Sequence, residues 1–102
     1  MLLLQFSSVT AVLAAEIPGE IEMNEQEWEV LYRTNKARMA NNLPPLSSTE
    51  KLQRAADIRK EELKTDFSHT RPDGTPCFTV LDECDIVYST AGENIASGQR
   101  NP

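Results

Sequence analysis

The chain has 102 residues, which is the length of one small domain or of part of a larger one. Ten basic and sixteen acidic residues give a formal net charge of −6, which argues against nucleic acid as a partner because such binding needs clustered positive charge. With 39% apolar residues, 25% charged residues and few glycines, the composition is that of a globular chain and not of a disordered or fibrous one.

Residues 1–14 have no charged side chain and are predicted to be part of a signal peptide. Val12 and Ala14 precede Ala15 at the small-residue positions of a signal-peptidase site, although the basic segment that opens such peptides is missing. The alternative is an N-terminal hydrophobic strand. The apolar run is too short for a stable membrane span. Residues 15–24 are then expected to form an acidic linker.

A first amphipathic helix is predicted from residue 25 to about residue 40. Asn24 is suited to cap it, and the acidic Glu25 and Glu27 favour the positive end of the helix dipole. Five side chains recur with the period of a helix, so we expect them to bury one of its faces. These are Trp28, Leu31, Tyr32, Asn35 and Met39.

A second helix is predicted to begin at Ser47 or Ser48 and to reach about Lys64. Ser47 and Glu50 have the spacing of a capping box, in which each side chain bonds the other residue's backbone amide. A second apolar stripe with helical period follows, and charged residues occupy the other face. The stripe consists of Leu52, Ala55, Ala56, Arg59 and Leu63.

Shorter elements follow the second helix. Residues 71–74, Arg-Pro-Asp-Gly, predict a type I turn. A short helix is expected over residues 76–83, with proline in its first turn. The β-forming residues 86–88 then predict the first strand of a sheet. Since one strand cannot satisfy its own backbone, we expect its partners to lie after residue 102.

The two cysteines, Cys77 and Cys84, are not expected to form a disulfide with each other. If the segment between them is helical, their Cα atoms lie about 10.5 Å apart. A disulfide spans at most about 7 Å. We therefore expect buried apolar side chains or free thiols.

His69 and Glu93 are the candidate site residues. His69, the single histidine, follows the second helix. It can interact with the carbonyl end of that helix, or it can serve as a metal ligand or general base. Glu93 lies among glycines and small residues, where it is either a solvated carboxylate or a ligand.

Five short motifs, taken in order, resemble those of the CAP superfamily, also called SCP-like, after cysteine-rich secretory proteins, antigen 5 and pathogenesis-related 1 proteins. The motifs are Asn35-x-x-Arg38, Leu43-Pro44-Pro45-Leu46, Leu52-x-x-Ala55, Phe67-Ser68-His69 with Arg71-Pro72-Asp73-Gly74, and Gly92-Glu93-Asn94-Ile95-Ala96. The similarity covers about residues 25–100 and favours a bacterial member. Each motif is weak alone, but the order and spacing together are specific.

The resemblance implies an α+β fold, an α-β-α sandwich, of which residues 25–102 would form the N-terminal part, with the helices and the first strand. It also implies a cleft of two histidines and two acids that can hold a divalent cation, often zinc. His69 and Glu93 match the first histidine and the first acid, and the other two would follow residue 102. Ser68 and Asn94 could orient these ligands. Because a zinc site needs three or four protein ligands, binding by this pair alone is expected to be weak or absent.

Three interpretations of the function remain. The first is a secreted or cell-surface module that binds an extracellular lipid, peptide or cell-wall component in a metal-containing cleft. The second is a metal-assisted or His/Glu-dependent hydrolase of the peptidase kind, although no His-Glu-x-x-His or Gly-x-Ser-x-Gly motif is present. The third is a truncated gene product. The sequence assigns no catalytic residue.

Overall fold

The structure is a computed structural model that describes the backbone of residues 2–6 and all of residues 22–100. In chain order the elements are strand β1 (Leu2–Phe6), helix α1 (Glu25–Ala40), helix α2 (Glu50–Thr65), helix α3 (Thr79–Glu83) and strand β2 (Ala91–Ile95). Helices combined with antiparallel strands agree with the predicted α+β class. Most of the predicted signal peptide and linker, residues 1–24, lies outside the described residues.

Strand β1 pairs antiparallel with β2 in a register that sets Leu4 opposite Glu93. Helix α2 contacts both β1 and α3. Residues 2–6 therefore form an N-terminal hydrophobic strand, which is the alternative to a signal peptide expected from the sequence. The signal peptide stays a prediction.

Helix α1 is capped as predicted. The Asn24 side chain accepts a hydrogen bond from the backbone amide of Glu27 at 2.9 Å, and the Glu27 carboxylate accepts one from the amide of Asn24 at 3.0 Å. This is a complete capping box. The helix ends at Ala40, and Asn42 takes a φ of +57°, a conformation that asparagine adopts more readily than most residues.

The predicted burial of the α1 stripe is wrong for its large side chains. Trp28, Tyr32 and Met39 are 47%, 66% and 60% exposed, and the other members are half-buried. Among the described elements no helix or strand packs closely against α1, so its three large side chains remain exposed. The helix is instead tied to the loop before α2, where the Asn35 side chain both donates to and accepts from the backbone of Leu46.

Helix α2 begins later than predicted. Its N-cap is Thr49, whose Oγ1 accepts a hydrogen bond from the amide of Leu52 at 3.1 Å, so the prediction of Ser47 or Ser48 is wrong. The serine has the spacing of a capping box, but only the residue directly before the first helical turn can cap it.

The apolar stripe of α2 is confirmed. Leu52, Ala55 and Arg59 are buried, and Ala56 and Leu63 are half-buried. The helix ends at Thr65, one residue beyond the predicted end. Arg59 is fully buried in this stripe, so its charge must find partners inside the protein.

The loop after α2 folds back on itself. The amide of Gly74 donates to the carbonyl of Arg71 at 2.8 Å, which confirms the predicted turn over residues 71–74. Gly74 has a φ of +86°, which glycine adopts without steric strain. On the far side of the turn, the amide of Cys77 donates to the carbonyl of His69 at 3.0 Å. Residues 69 and 77 therefore lie side by side.

The predicted strand at residues 86–88 is wrong. After α3 the chain turns through Asp85, with a φ of +55°, and the amide of Ile86 donates back to the carbonyl of Leu81 at 2.9 Å. This bond closes the end of the helix and packs Ile86 against the core, while Val87 is 98% exposed. The strand of this region is instead β2, which contains Glu93 and the small residues around it.

The core lies between α2 and α3. Its buried members are Leu52, Ala55, Val80, Leu81 and Cys84. Both cysteines are free and buried, which agrees with the expectation from their spacing. Within the described residues, Cys84 belongs to this apolar cluster and Cys77 does not.

Candidate functional site

The structure brings the two predicted site residues together. His69 lies in the loop after α2, and Glu93 is the central residue of β2. The Nδ1 atom of His69 is 2.9 Å from Oε1 of Glu93. The histidine side chain is 61% exposed, whereas the carboxylate is only 1% exposed. The pair therefore joins a buried charge to a ring that solvent reaches.

Cys77 completes a group of three potential ligands. One ring nitrogen of His69, the sulfur of Cys77 and one carboxylate oxygen of Glu93 all lie within 4.8 Å of one another. The hydrogen bond between the backbones of residues 77 and 69 fixes the thiol beside the imidazole. The sequence predicted Cys77 to be a buried apolar side chain or a free thiol, and it gave no sign of this proximity.

Arg59 holds the buried carboxylate. Its Nε donates to Oε2 of Glu93 at 2.9 Å and its Nη2 donates to Oε1 at 3.1 Å, a two-point contact. The same guanidinium donates to Glu62 at 2.6 Å and to the carbonyl of Ser68 at 2.7 Å. Sequence reasoning placed Arg59 in the apolar stripe without a role. The signal was available, because a cation at a core position requires a buried acid.

The charged network extends away from β2 through a second arginine. Arg71 donates to Oε1 of Glu62 at 2.6 Å, to Glu83 at 2.9 Å and to the hydroxyl of Thr79 at 3.0 Å. Two guanidinium groups thus face three carboxylates, which leaves one negative charge in excess. No buried side-chain nitrogen or oxygen of the described residues lacks a hydrogen-bond partner.

These contacts shift the protonation of the site. Burial alone would raise the pKa of Glu93, but the hydrogen bonds from Arg59 and His69 outweigh it and hold the pKa below its usual value. The pKa of Glu62 is lowered chiefly by its hydrogen bond from Arg71. Burial raises the pKa of the Cys77 thiol, and the neighbouring carboxylate of Glu93 adds to this effect. At neutral pH the site therefore contains an ionised carboxylate and a protonated thiol.

The two residues proposed to orient the ligands behave differently from the expectation. Ser68 contributes its backbone carbonyl to Arg59, while its hydroxyl accepts a hydrogen bond from the amide of Thr70 at 3.0 Å. Asn94 is exposed and follows Glu93 on β2, so it points to the opposite face of the strand. The positioning of Glu93 depends on Arg59.

A groove lies between α1 and α2, with a volume of about 260 Å³. Its apolar lining comes from Met23, Leu31, Leu46, Leu52 and Ala56. Polar side chains from both helices complete the wall, so the groove has a mixed character. It contains none of the three potential ligands.

None of the helices within residues 22–100 has the length and hydrophobicity needed to cross a membrane.

Comparisons with known proteins identify relatives of the chain. Residues 31–102 match a family model described as the cysteine-rich secretory protein family, CAP. The chain is also similar to YkwD of Bacillus subtilis (strain 168), described as an uncharacterized protein, with 36% identity over 78 residues. That alignment covers 74% of this chain and 30% of the relative, so the chain spans less than a third of the relative's length. No solved structure gives a significant match.

Proposed function

The chain belongs to the CAP family of cysteine-rich secretory proteins, and on that premise we propose that it is a secreted or cell-surface ligand-binding module with a divalent-metal cleft at His69 and Glu93. Membership confirms the resemblance predicted from the motifs and the α-β-α class of fold. The relative from Bacillus subtilis agrees with a bacterial member. Secretion, the cleft and its ligand are parts of the proposal.

The observation that carries the proposal is the contact between His69 Nδ1 and Glu93 Oε1 at 2.9 Å. Imidazole nitrogen and carboxylate oxygen are ligands that zinc accepts. The exposed ring of His69 gives an ion access from solvent, and the network around Arg59 fixes the carboxylate. The donor types therefore fit a divalent cation.

The ligand is expected to be an extracellular lipid, peptide or cell-wall component. A bound cation would supply positive charge and an open coordination position to an anionic group of that ligand. The chain itself supports this role by holding His69 at the surface and Glu93 behind it, so that the acid is ionised and oriented before anything binds.

Zinc titration by calorimetry on the full 102-residue chain tests the cleft. We expect weak binding, because this pair alone supplies fewer than the three or four ligands of a zinc site. We expect His69→Ala to abolish it, because the exposed ring can be removed without disturbing the core. Asp66→Asn is the matched control, since this exposed acid lies in the same loop and outside the cluster. His69→Ala with unchanged binding would reject the cleft.

Assays of ligand classes test the binding role. The protein is sedimented with anionic lipid vesicles or with peptidoglycan fragments, or mixed with a labelled peptide library, each with zinc and with chelator. We expect one class to bind in a zinc-dependent way that His69→Ala weakens. Binding of a ligand that neither the chelator nor His69→Ala changes would show that this ligand binds outside the cleft.

A hydrolase is the second candidate, and the same pair favours it. A carboxylate that engages one ring nitrogen of a histidine fixes the tautomer and leaves Nε2 available to exchange a proton. Hydrolysis of a peptide library that disappears in His69→Ala and persists in Asp66→Asn would support this activity. Cleavage that survives His69→Ala would exclude the pair as its origin.

A further inference from the structure

Cys77 and Cys84 differ in surroundings although both are buried, with 5% and 4% exposure. Cys84 packs within the apolar cluster between α2 and α3. Cys77 lies outside that cluster, and its sulfur is within 4.8 Å of a ring nitrogen of His69 and of a carboxylate oxygen of Glu93. Packing as a small apolar side chain accounts for Cys84, but it does not account for the polar surroundings of Cys77.

The position of Cys77 is built into the backbone. Thr70 and Pro76 form an antiparallel bridge, and the amide of Cys77 donates to the carbonyl of His69 at 3.0 Å. The turn over residues 71–74 closes this small loop. The sulfur and the imidazole are thus held together whether or not an ion is bound, which is the preorganisation that a metal site needs.

The separations fit one small ion. Bonds of about 2.0 Å to nitrogen and oxygen and about 2.3 Å to sulfur place tetrahedral ligand atoms about 3–4 Å apart. The three atoms here lie within 4.8 Å of one another, so movements of side chains alone bring them to those separations.

Charge is the reason that a third ligand is needed. Both oxygens of Glu93 accept hydrogen bonds from Arg59, so the carboxylate is already neutralised by a buried cation. Arg59 also pairs with Glu62, and the network as a whole carries one negative charge in excess. A divalent ion at His69 and Glu93 alone would therefore leave one uncompensated positive charge, which a thiolate would neutralise.

We propose that Cys77 is the third protein ligand of the cleft and makes it a nitrogen, oxygen and sulfur site for borderline-soft divalent cations such as zinc and cobalt. The inference rests on the proposed metal cleft and assigns to it a ligand beyond His69 and Glu93. On binding, the S–H bond breaks, the proton passes to solvent, and the sulfur donates an electron pair to the cation without any change of oxidation state. Further positions are left to the second histidine and acid that the resemblance implies, to water or to the ligand.

Cobalt(II) titration of the full chain under reducing conditions tests the sulfur ligand directly. We expect a sulfur-to-cobalt charge-transfer band in the near ultraviolet that is absent in Cys77→Ser and unchanged in Cys84→Ala. Zinc affinity, measured by competition with cobalt, should fall by more than about tenfold in Cys77→Ser and stay within about twofold in Cys84→Ala.

A melting experiment separates a native site from binding by unfolded thiols. Zinc should raise the melting temperature of wild type, since an ion that binds the folded state stabilises it. A melting temperature that zinc leaves unchanged or lowers would overturn the proposal, because zinc would then bind the unfolded chain at least as tightly as the folded one. This readout needs only wild type, so it holds even if Cys77→Ser folds poorly.

The outcomes distinguish this inference from the proposed function. Zinc binding that depends on His69, with no charge-transfer band and no effect of Cys77→Ser, would overturn the sulfur ligand and leave the His69–Glu93 cleft standing. Wild type that binds neither metal would overturn the three-ligand site, because three ligands should suffice to bind an ion in this chain.

Discussion

Arg59 is the residue on which the site depends most. It is fully buried, and it contacts Glu93, Glu62 and the carbonyl of Ser68. Removing it would leave the carboxylate of Glu93 buried without a cationic partner, and breaking one half of a buried pair is far more destabilising than losing an exposed one. Its hydrogen bonds to Glu93 also raise its own pKa, so it stays charged at every accessible pH.

Arg59→Met is expected to lower the free energy of unfolding by about 3–5 kcal/mol, measured by urea denaturation. Arg33→Met removes a half-exposed ion pair with Glu29 on α1 and should change the free energy of unfolding by less than about 1 kcal/mol. The double variant Arg59→Met/Glu93→Leu should recover part of the loss, because both charges leave together. If Arg59→Met and Arg33→Met lowered the free energy of unfolding equally, the buried ion pair would be worth no more than the exposed one, which would contradict this prediction.

Caps define where the two long helices begin. Asn24 of α1 could be identified from the sequence because the acidic first turn starts directly after it. For α2 the capping-box spacing points to Ser47, but the cap is Thr49, which has extended backbone dihedrals and whose hydroxyl reaches the amide of Leu52. The two hydroxyl residues therefore differ in their effect on stability.

Thr49→Ala is expected to destabilise the protein by about 1 kcal/mol, because the amide of Leu52 loses its acceptor at the first turn. Ser47→Ala should stay within about 0.5 kcal/mol, since Ser47 is exposed and lies outside the helix. Thermal unfolding followed by circular dichroism measures both. A larger effect of Ser47→Ala would restore the capping box predicted from the sequence.

The sequence predicts local features better than contacts between elements. The two long helices and the turn over residues 71–74 depend on neighbouring residues, and these predictions agree with the structure. The exposure of Trp28 depends on whether another element covers α1, which periodicity does not reveal. The ligand group likewise requires Cys77 to lie beside His69, which follows from how the loop closes.

Across the molecule, ion pairs connect α2, the loop after it, α3 and β2 in addition to the apolar core. Arg59 and Glu62 lie on α2, Arg71 in the following loop, Glu83 on α3 and Glu93 on β2. The pKa of both Glu62 and Glu93 is lowered in the folded state. Groups of this kind stabilise the fold above their unfolded pKa, about 4.3 for glutamate, and lose that contribution as pH falls through the folded pKa.

We therefore expect a melting temperature that is nearly constant from about pH 7 to pH 5.5 and falls below about pH 4.5. Glu62→Gln should lower it at neutral pH and reduce the fall in acid, because one of the titrating groups is gone. Glu61→Gln, at the next position of α2, removes an exposed pair with Lys64 and should leave the profile nearly unchanged. Parallel profiles for the two variants would contradict this account.

The contact between Arg59 and Glu93 joins residues 34 positions apart. Closing a loop of that length costs chain entropy of about 3 kcal/mol, so the unfolded chain does not form the contact in advance. Detachment of the five residues of β2 would separate Glu93 from His69 while α2 stayed helical. The lifetime of the cluster is then set by how long this short strand remains docked, and hydrogen exchange at its amides would report that opening independently of global unfolding.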